Sequence, residues 1–86
     1  MTETPEIRLR RLRLRSHRRG MKEMDLILGR FADAELAGLD GAGLDLYERL
    51  LEQGDQDLWR WVTGAEAPPA PLGGLIARIR QCVGIE

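Results

Sequence analysis

The sequence predicts an all-α protein: a compact antiparallel bundle of four or five short helices, in one domain that spans residues 1–86. Three observations support this prediction. Apolar residues recur at helical spacing in successive segments, and glycine, aspartate or proline residues separate these segments at short intervals. Only four of the 86 residues are aromatic, so Leu, Ile, Val and Met must form most of the core, which suits helical packing better than a β-sandwich.

The first helix is predicted over residues 6–19, after a frayed N-terminus at residues 1–5. Thr4 is a candidate N-cap, and Pro5 is tolerated in a first helical turn. The local RLRLR alternation would also suit a strand, but Arg and Leu are good helix formers and β-branched residues are scarce here. Gly20 then ends the helix or turns the chain sharply.

A second helix is predicted over residues 21–32, where apolar residues recur at three- and four-residue spacing. Residues 34–39 add one further turn. The glycines at positions 38, 41 and 43 predict a connection rather than the interior of a helix, because glycine is unfavourable there. A third helix follows over residues 44–53.

The fourth helix is predicted over residues 56–63, with Asp55 as its N-cap. Residues 65–71, with the sequence AEAPPAP, form a stiff, Pro-containing linker before the last helix. Each proline fixes φ and disfavours helix at the residue before it. The last helix covers residues 72–83, and residues 84–86 form a tail.

Charge is unevenly distributed, although the formal net charge is only −1. Residues 1–30 carry nine basic and four acidic side chains, whereas residues 31–86 carry four basic and ten acidic ones. A basic segment on an acidic body indicates either an oriented binding surface or self-complementary packing of the first helix. The Arg-rich segment also suggests a small nucleic-acid-binding module as an alternative function, but the acidic body counts against it.

Composition excludes several kinds of site. The single cysteine, Cys82, cannot form an internal disulfide, and with the single His17 it leaves no three-ligand metal site unless carboxylates complete one. No glycine-rich phosphate loop is present, and the chain is too short for a cofactor-binding domain together with a substrate domain. We therefore expect no active site and no bound cofactor, with Cys82 as a small buried hydrophobic residue and His17 as an exposed polar one.

The sequence predicts a cytoplasmic protein. No apolar run is long enough to cross a membrane, and no hydrophobic signal-peptide region follows the start. The Arg-rich N-terminus has features of a mitochondrial presequence, but Glu3 and Glu6 are acidic and the arginines continue directly into the most distinctive motif. The lone thiol fits a reducing compartment.

The most distinctive segment is RRGMKEMD, at residues 18–25. Gly20 permits a tight corner between the basic run and a new helix, because no Cβ obstructs it. Arg19 and Glu23 are four residues apart and would meet on one turn if the helix continued through Gly20. Glu23 also lies in an early turn, where the helix dipole favours a carboxylate. Taken alone, these residues fit a surface ion pair and a first-turn acid as well as a binding site.

Two tryptophans give a second candidate surface. Trp59 and Trp61 are two residues apart, so one can enter the core while the other faces solvent or a partner. An exposed tryptophan is an interface candidate, because Trp is enriched at binding hot spots. A shared, partly buried cluster is the equally plausible alternative.

Two blocks of the sequence resemble the succinate dehydrogenase assembly factor family. The first is Arg19-Gly20-x-x-Glu23, followed by Met24-Asp25 and an apolar run. The second is Tyr47-x-x-Leu50-Leu51 followed by Asp55-x-Asp57-Leu58-x-x-Trp61, at about the distance expected for the family. The resemblance covers residues 8–80 and implies a five-helix fold. Its members are small flavinylation factors of bacteria and mitochondria, and we expect this chain to be a bacterial member.

This resemblance implies an assembly role without enzymatic activity. Family members bind the flavoprotein subunit of succinate dehydrogenase, and often that of fumarate reductase, and promote covalent attachment of FAD to a histidine of that subunit. FAD would belong to this client, and the chain itself would hold no cofactor or metal, and would have no membrane or nucleic-acid partner. By position, the resemblance implies that the partner-binding residues are Arg18, Arg19, Gly20, Glu23 and Asp25.

Overall fold

Five α-helices make up most of the chain in a computed structural model, which describes residues 3–85. The described part contains no strand, so the predicted all-α class is confirmed. Single turns of 3-10 helix occur at Leu36–Gly38 and Ala70–Leu72. The α-helices are α1 (Pro5–His17), α2 (Lys22–Glu35), α3 (Gly41–Leu51), α4 (Asp55–Thr63) and α5 (Gly73–Val83).

Residues near both ends of the described chain take part in helix capping or core packing. Pro5 is the first residue of α1, and Thr4 is the N-cap, with its side-chain Oγ1 accepting a hydrogen bond of 3.2 Å from the Ile7 amide. Gly84 ends α5 with a φ of +82°, and Ile85 packs against the core. Residues 1, 2 and 86, which belong to the predicted frayed N-terminus and tail, lie outside the described residues.

Two predictions about helix starts are wrong. Gly41 and Gly43 lie in the first turn of α3 rather than in a connection, because the Asp40 carboxylate caps that turn by accepting a hydrogen bond of 2.8 Å from the Gly43 amide. Asp55 is the first residue of α4 rather than its N-cap. Gly54 takes the N-cap position without a side-chain hydrogen bond, which leaves the Asp55 carboxylate available for another partner.

A connected apolar core joins all five helices. The rings of Phe31 and Tyr47 stack inside it, with their centroids 5.6 Å apart. Ser16, at the end of α1, is also fully buried, and its Oγ lies 2.5 Å from the Tyr47 hydroxyl and donates to the Leu12 carbonyl. Most other fully buried side chains are aliphatic: Leu12, Met24, Leu28, Leu36, Leu50, Leu58, Val62 and Ile79.

The basic first helix packs against acidic side chains of α3. Arg8 contacts Asp45 at 2.6 Å, and Arg11 contacts Glu48 at 3.1 Å. Arg11 also binds Glu3 at 2.7 Å, and its guanidinium lowers the pKa of both Glu3 and Glu48. Part of the charge asymmetry therefore reflects self-complementary packing, which was one of the two interpretations of the sequence.

The chain between α4 and α5 contains the predicted proline-rich linker. Gly64 ends α4 with a φ of +82°, and residues 65–69 are not helical. The linker then enters the 3-10 turn that leads into α5. Within residues 3–85, no helix combines the length and the apolar composition that crossing a membrane requires.

Candidate functional site

The segment between α1 and α2 forms a sharp corner at Gly20. Arg18 is the C-cap of α1 and Met21 is the N-cap of α2, so the helix does not continue through the motif. Gly20 has a φ of +103°, a conformation that residues with a Cβ rarely adopt. Beyond its two chain neighbours, no described atom lies within 4 Å of the position that a Cβ would take, so the backbone angle alone favours glycine here.

The Asp25 carboxylate stabilises this corner from the first turn of α2. Its Oδ1 accepts hydrogen bonds from the backbone amides of Arg19 and Gly20, the latter at 3.2 Å. Met21 provides no side-chain cap, and the Asp25 carboxylate binds these two amides before the helix rather than amides of the first turn of α2. Asp25 therefore fixes the conformation of the corner and is only partly accessible.

The Arg19 side chain joins the corner to the connection between α3 and α4. Its Nε lies 2.9 Å from Oδ1 of Asp55, and its terminal nitrogens donate to the carbonyls of Leu51 and Gln53, the latter at 2.6 Å. Only 11% of the Arg19 side chain and 19% of the Asp55 side chain are exposed. We call this set of contacts the Arg19 clamp.

Arg19 and Glu23 thus lie in different surroundings. The helix break at Gly20 directs the Arg19 guanidinium toward α4, whereas Glu23 lies exposed on α2. The accessible part of the corner consists of Arg18, Gly20, Lys22 and Glu23. All five residues that the resemblance implies lie in one corner, but Arg19 and Asp25 point their polar atoms inward.

The second sequence block mainly supports this corner. Tyr47, Leu50 and Leu51 are buried in the core, and Asp55 completes the Arg19 clamp. The sequence analysis missed this role of Asp55, since its position before an apolar helical stripe also indicates an N-cap. Nothing in a single sequence links two residues that are 36 positions apart.

The two tryptophans are not equivalent. Trp61 is buried, and its indole Nε1 donates a hydrogen bond of 3.2 Å to Glu66. Trp59 is half-buried against the core, so it is the more accessible of the two interface candidates. The prediction that one tryptophan enters the core is consistent with this arrangement.

His17 and Cys82 are the remaining side chains of a reactive type, and each interacts with a carboxylate of this chain. His17 is exposed, as expected, and its Nε2 lies 3.1 Å from Oδ1 of Asp33. Cys82 is half-buried, and burial together with the neighbouring Glu35 raises the pKa of its thiol, which disfavours the reactive thiolate. Among residues 3–85, no three His, Cys, Asp or Glu side chains are arranged to hold a metal ion.

Residues 10–83 match the protein-family model described as "Sdh5: Flavinator of succinate dehydrogenase". This match includes the corner, the Arg19 clamp and all of the five helices except the first five residues of α1. The chain belongs to the Sdh5 family. The family resemblance predicted from the two sequence blocks is therefore confirmed.

Two bacterial relatives cover most of this Sdh5-family chain. The FAD assembly factor SdhE of Methylococcus capsulatus is 40% identical over 70 residues, which are 80% of this chain and 84% of the relative. The FAD assembly factor SdhE of Legionella pneumophila is 37% identical over 65 residues, which are 76% of this chain and 82% of the relative.

Mitochondrial relatives are longer. Succinate dehydrogenase assembly factor 2 of Scheffersomyces stipitis is 46% identical over 61 residues, which are 71% of this chain and 41% of the relative. The corresponding factor of Meyerozyma guilliermondii is 43% identical over 61 residues, or 45% of its own length. The chain thus spans less than half the length of these mitochondrial relatives.

Proposed function

We propose that this chain is a maturation factor that binds the flavoprotein subunit of succinate dehydrogenase and promotes covalent attachment of FAD to that subunit. The family match and the names of the bacterial relatives support this proposal. The observation that carries it is that the family motif forms one preorganised corner with Gly20 and Glu23 accessible. The proposal extends to fumarate reductase as a second client, and to the bacterial cytoplasm as the compartment.

In this proposal the chain supplies a binding surface and no catalytic group. FAD is held by the client, and the reaction between flavin and histidine takes place there. A partner that binds the reactive conformation of the client more tightly than other conformations raises its population. The chain accelerates flavinylation in this way without contributing an acid, a base or a nucleophile.

The corner residues contribute to partner binding in different ways. Gly20 lacks a side chain, so a partner backbone can approach it closely. Glu23 offers a hydrogen-bond acceptor and Arg18 a planar donor, and both side chains are exposed at the corner that contains Gly20. The Arg19 clamp and Asp25 keep the corner in one conformation, which reduces the entropy that is lost on binding.

The contacts of the arginines support a protein partner rather than a nucleic acid. Arg8, Arg11 and Arg13 each contact an acidic side chain of this chain, and Arg19 is clamped to Asp55. An arginine that already neutralises a carboxylate contributes less to the counterion release that drives nucleic-acid binding.

The proposal is tested by covalent flavin in the client. The succinate dehydrogenase flavoprotein subunit of the same cell is expressed with and without this chain and denatured, and flavin fluorescence is read in the gel band. We expect the signal to depend on the chain and to be lost with Glu23→Gln. Glu66→Gln, at an exposed position in the segment between α4 and α5, is the matched control and should keep the signal. Equal flavin with and without the chain would overturn the proposal.

A further inference from the structure

The outer face of α1 carries exposed apolar and basic side chains in alternation. Ile7 and Leu14 are each 51% exposed, although they belong to the large hydrophobic residues that usually face a core. They are seven residues apart, so they lie on one side of the helix about 10 Å from each other. Arg10 lies between them, and Arg18 lies at the end of α1 that adjoins the corner. We call Ile7, Arg10, Leu14 and Arg18 the α1 stripe.

The charge on this stripe is not neutralised within the described chain. On one flank of α1, Arg8 and Arg11 pair with Asp45 and Glu48 of α3. On the other flank, Arg13 pairs with Asp33 of α2. Arg10 and Arg18 project between these flanks and form no ion pair within residues 3–85.

The two apolar side chains do not stand alone, as scattered surface leucines do. Arg10 lies about one turn from each of them on the same face of the helix, and the apolar stem of an arginine extends apolar surface while its guanidinium group remains accessible. The outer face of α1 therefore combines two exposed apolar side chains with two positive charges, those of Arg10 and Arg18, which are about 12 Å apart along the helix.

We propose that the α1 stripe is a second docking surface for the flavoprotein client, and that it binds an apolar groove rimmed by carboxylates. This inference rests on the proposed function and extends its contact surface. Charge complementarity identifies the partner as acidic, and the spacing of Ile7 and Leu14 fits the manner in which one face of a helix occupies a groove. The stripe ends at Arg18 and thus continues directly into the corner.

The apolar members favour a protein groove over a phosphate backbone. A nucleic acid would use the arginines and leave Ile7 and Leu14 in water, whereas a groove would cover all four side chains. The two kinds of partner therefore respond differently to an apolar substitution, which allows a direct test.

The test measures the affinity of the full chain for the purified flavoprotein subunit by calorimetry at low and moderate salt. Leu14→Gln and Ile7→Gln should each weaken binding about fivefold or more, because glutamine removes the apolar contact. Gln is a good helix former, so both variants should keep the thermal midpoint of the wild type. Arg10→Gln should weaken binding mainly at low salt, whereas Arg49→Gln, an exposed arginine on α3, should bind as the wild type does.

Three results would contradict this inference. If Glu23→Gln weakens binding while the Leu14 and Arg10 variants bind normally, the stripe is no docking surface and the proposed function stands. If the chain neither binds the subunit nor supports its flavinylation, the proposed function fails as well. Binding of poly(U) RNA that Arg10→Gln weakens and Leu14→Gln does not would make the stripe a phosphate-binding face.

Discussion

Arg19 and Asp55, 36 residues apart in the chain, join the corner of the family motif to the start of α4. The same guanidinium donates to two main-chain carbonyls at the end of α3. Its donors are thus used to hold three helices together, and little of the side chain remains for a partner. The arginine of the motif thus holds the corner in place, and Gly20 and Glu23 belong to its accessible part, which is the proposed contact surface.

Arg19→Ala should therefore lower the free energy of unfolding, by about 2–4 kcal/mol, since it leaves a partly buried carboxylate and two carbonyls without donors. Arg19→Lys should be intermediate, because one ammonium cannot reproduce the fork of the guanidinium. Urea unfolding measures both effects. Arg60→Ala, which removes exposed ion pairs with Asp57 and Glu66, is the control and should change stability by less than about 1 kcal/mol. Equal losses in the two alanine variants would contradict the role of the clamp.

Gly20→Ala should destabilise the fold through the backbone alone. The φ of +103° costs a residue with a Cβ about 1–3 kcal/mol, while the space around the site is open. Gly74 is the matched control, because it lies within α5 with open space around it and without a positive φ. Gly74→Ala should be neutral or stabilising by up to about 1 kcal/mol. Thermal unfolding of the two variants gives the comparison. A Gly20→Ala variant as stable as the wild type would contradict the expected backbone cost.

The helices themselves follow from local sequence. Apolar spacing indicates all five, and Gly20 indicates the corner, because periodicity and glycine conformation act over a few residues. The wrong predictions of helix bounds occur where a specific side-chain contact overrides a local conformational preference. At Gly41 and Gly43 the Asp40 cap outweighs the low helix propensity of glycine.

The sequence indicated that the motif residues lie at one corner of the chain, but it did not indicate the contacts within that corner. The pairing of Arg19 with Asp55 depends on how the corner between α1 and α2 lies against the start of α4 in three dimensions. A carboxylate just before an apolar helical pattern is consistent both with an N-cap and with an ion pair such as the one in the Arg19 clamp. Only the packed structure distinguishes these roles, and it assigns the exposed position to Glu23 and the buried one to Arg19.

Stability should fall at high pH through Tyr47. Burial raises the pKa of this hydroxyl to about 12 in the folded chain, above the unfolded value of about 10. The stabilisation is complete below pH ~10 and is lost as the pH rises toward 12, because the unfolded chain then ionises more readily. Tyr47 is the only tyrosine, so the absorbance of ionised tyrosine reports its titration directly. Tyr47→Phe should remove the part of the pH dependence of stability that Tyr47 causes. The pH dependence that remains in this variant includes that of the Cys82 thiol, whose pKa is also raised.

His17 and Gly29 should be energetically coupled across the contact between α1 and α2. A Cβ on Gly29 would lie 2.5 Å from Nδ1 of His17, so Gly29→Ala forces the imidazole, 44% exposed, to move away from Asp33. Alanine gains about 1 kcal/mol of helix propensity over glycine, and loss of the histidine contact offsets part of it. In a His17→Ala background the full gain should appear, which gives a coupling of roughly 0.5–1 kcal/mol in a double-mutant cycle by urea unfolding. As a control, Gly74→Ala should change the free energy of unfolding by the same amount with His17 and with Ala at position 17. If Gly29→Ala also has the same effect in both backgrounds, the histidine contact contributes nothing to stability.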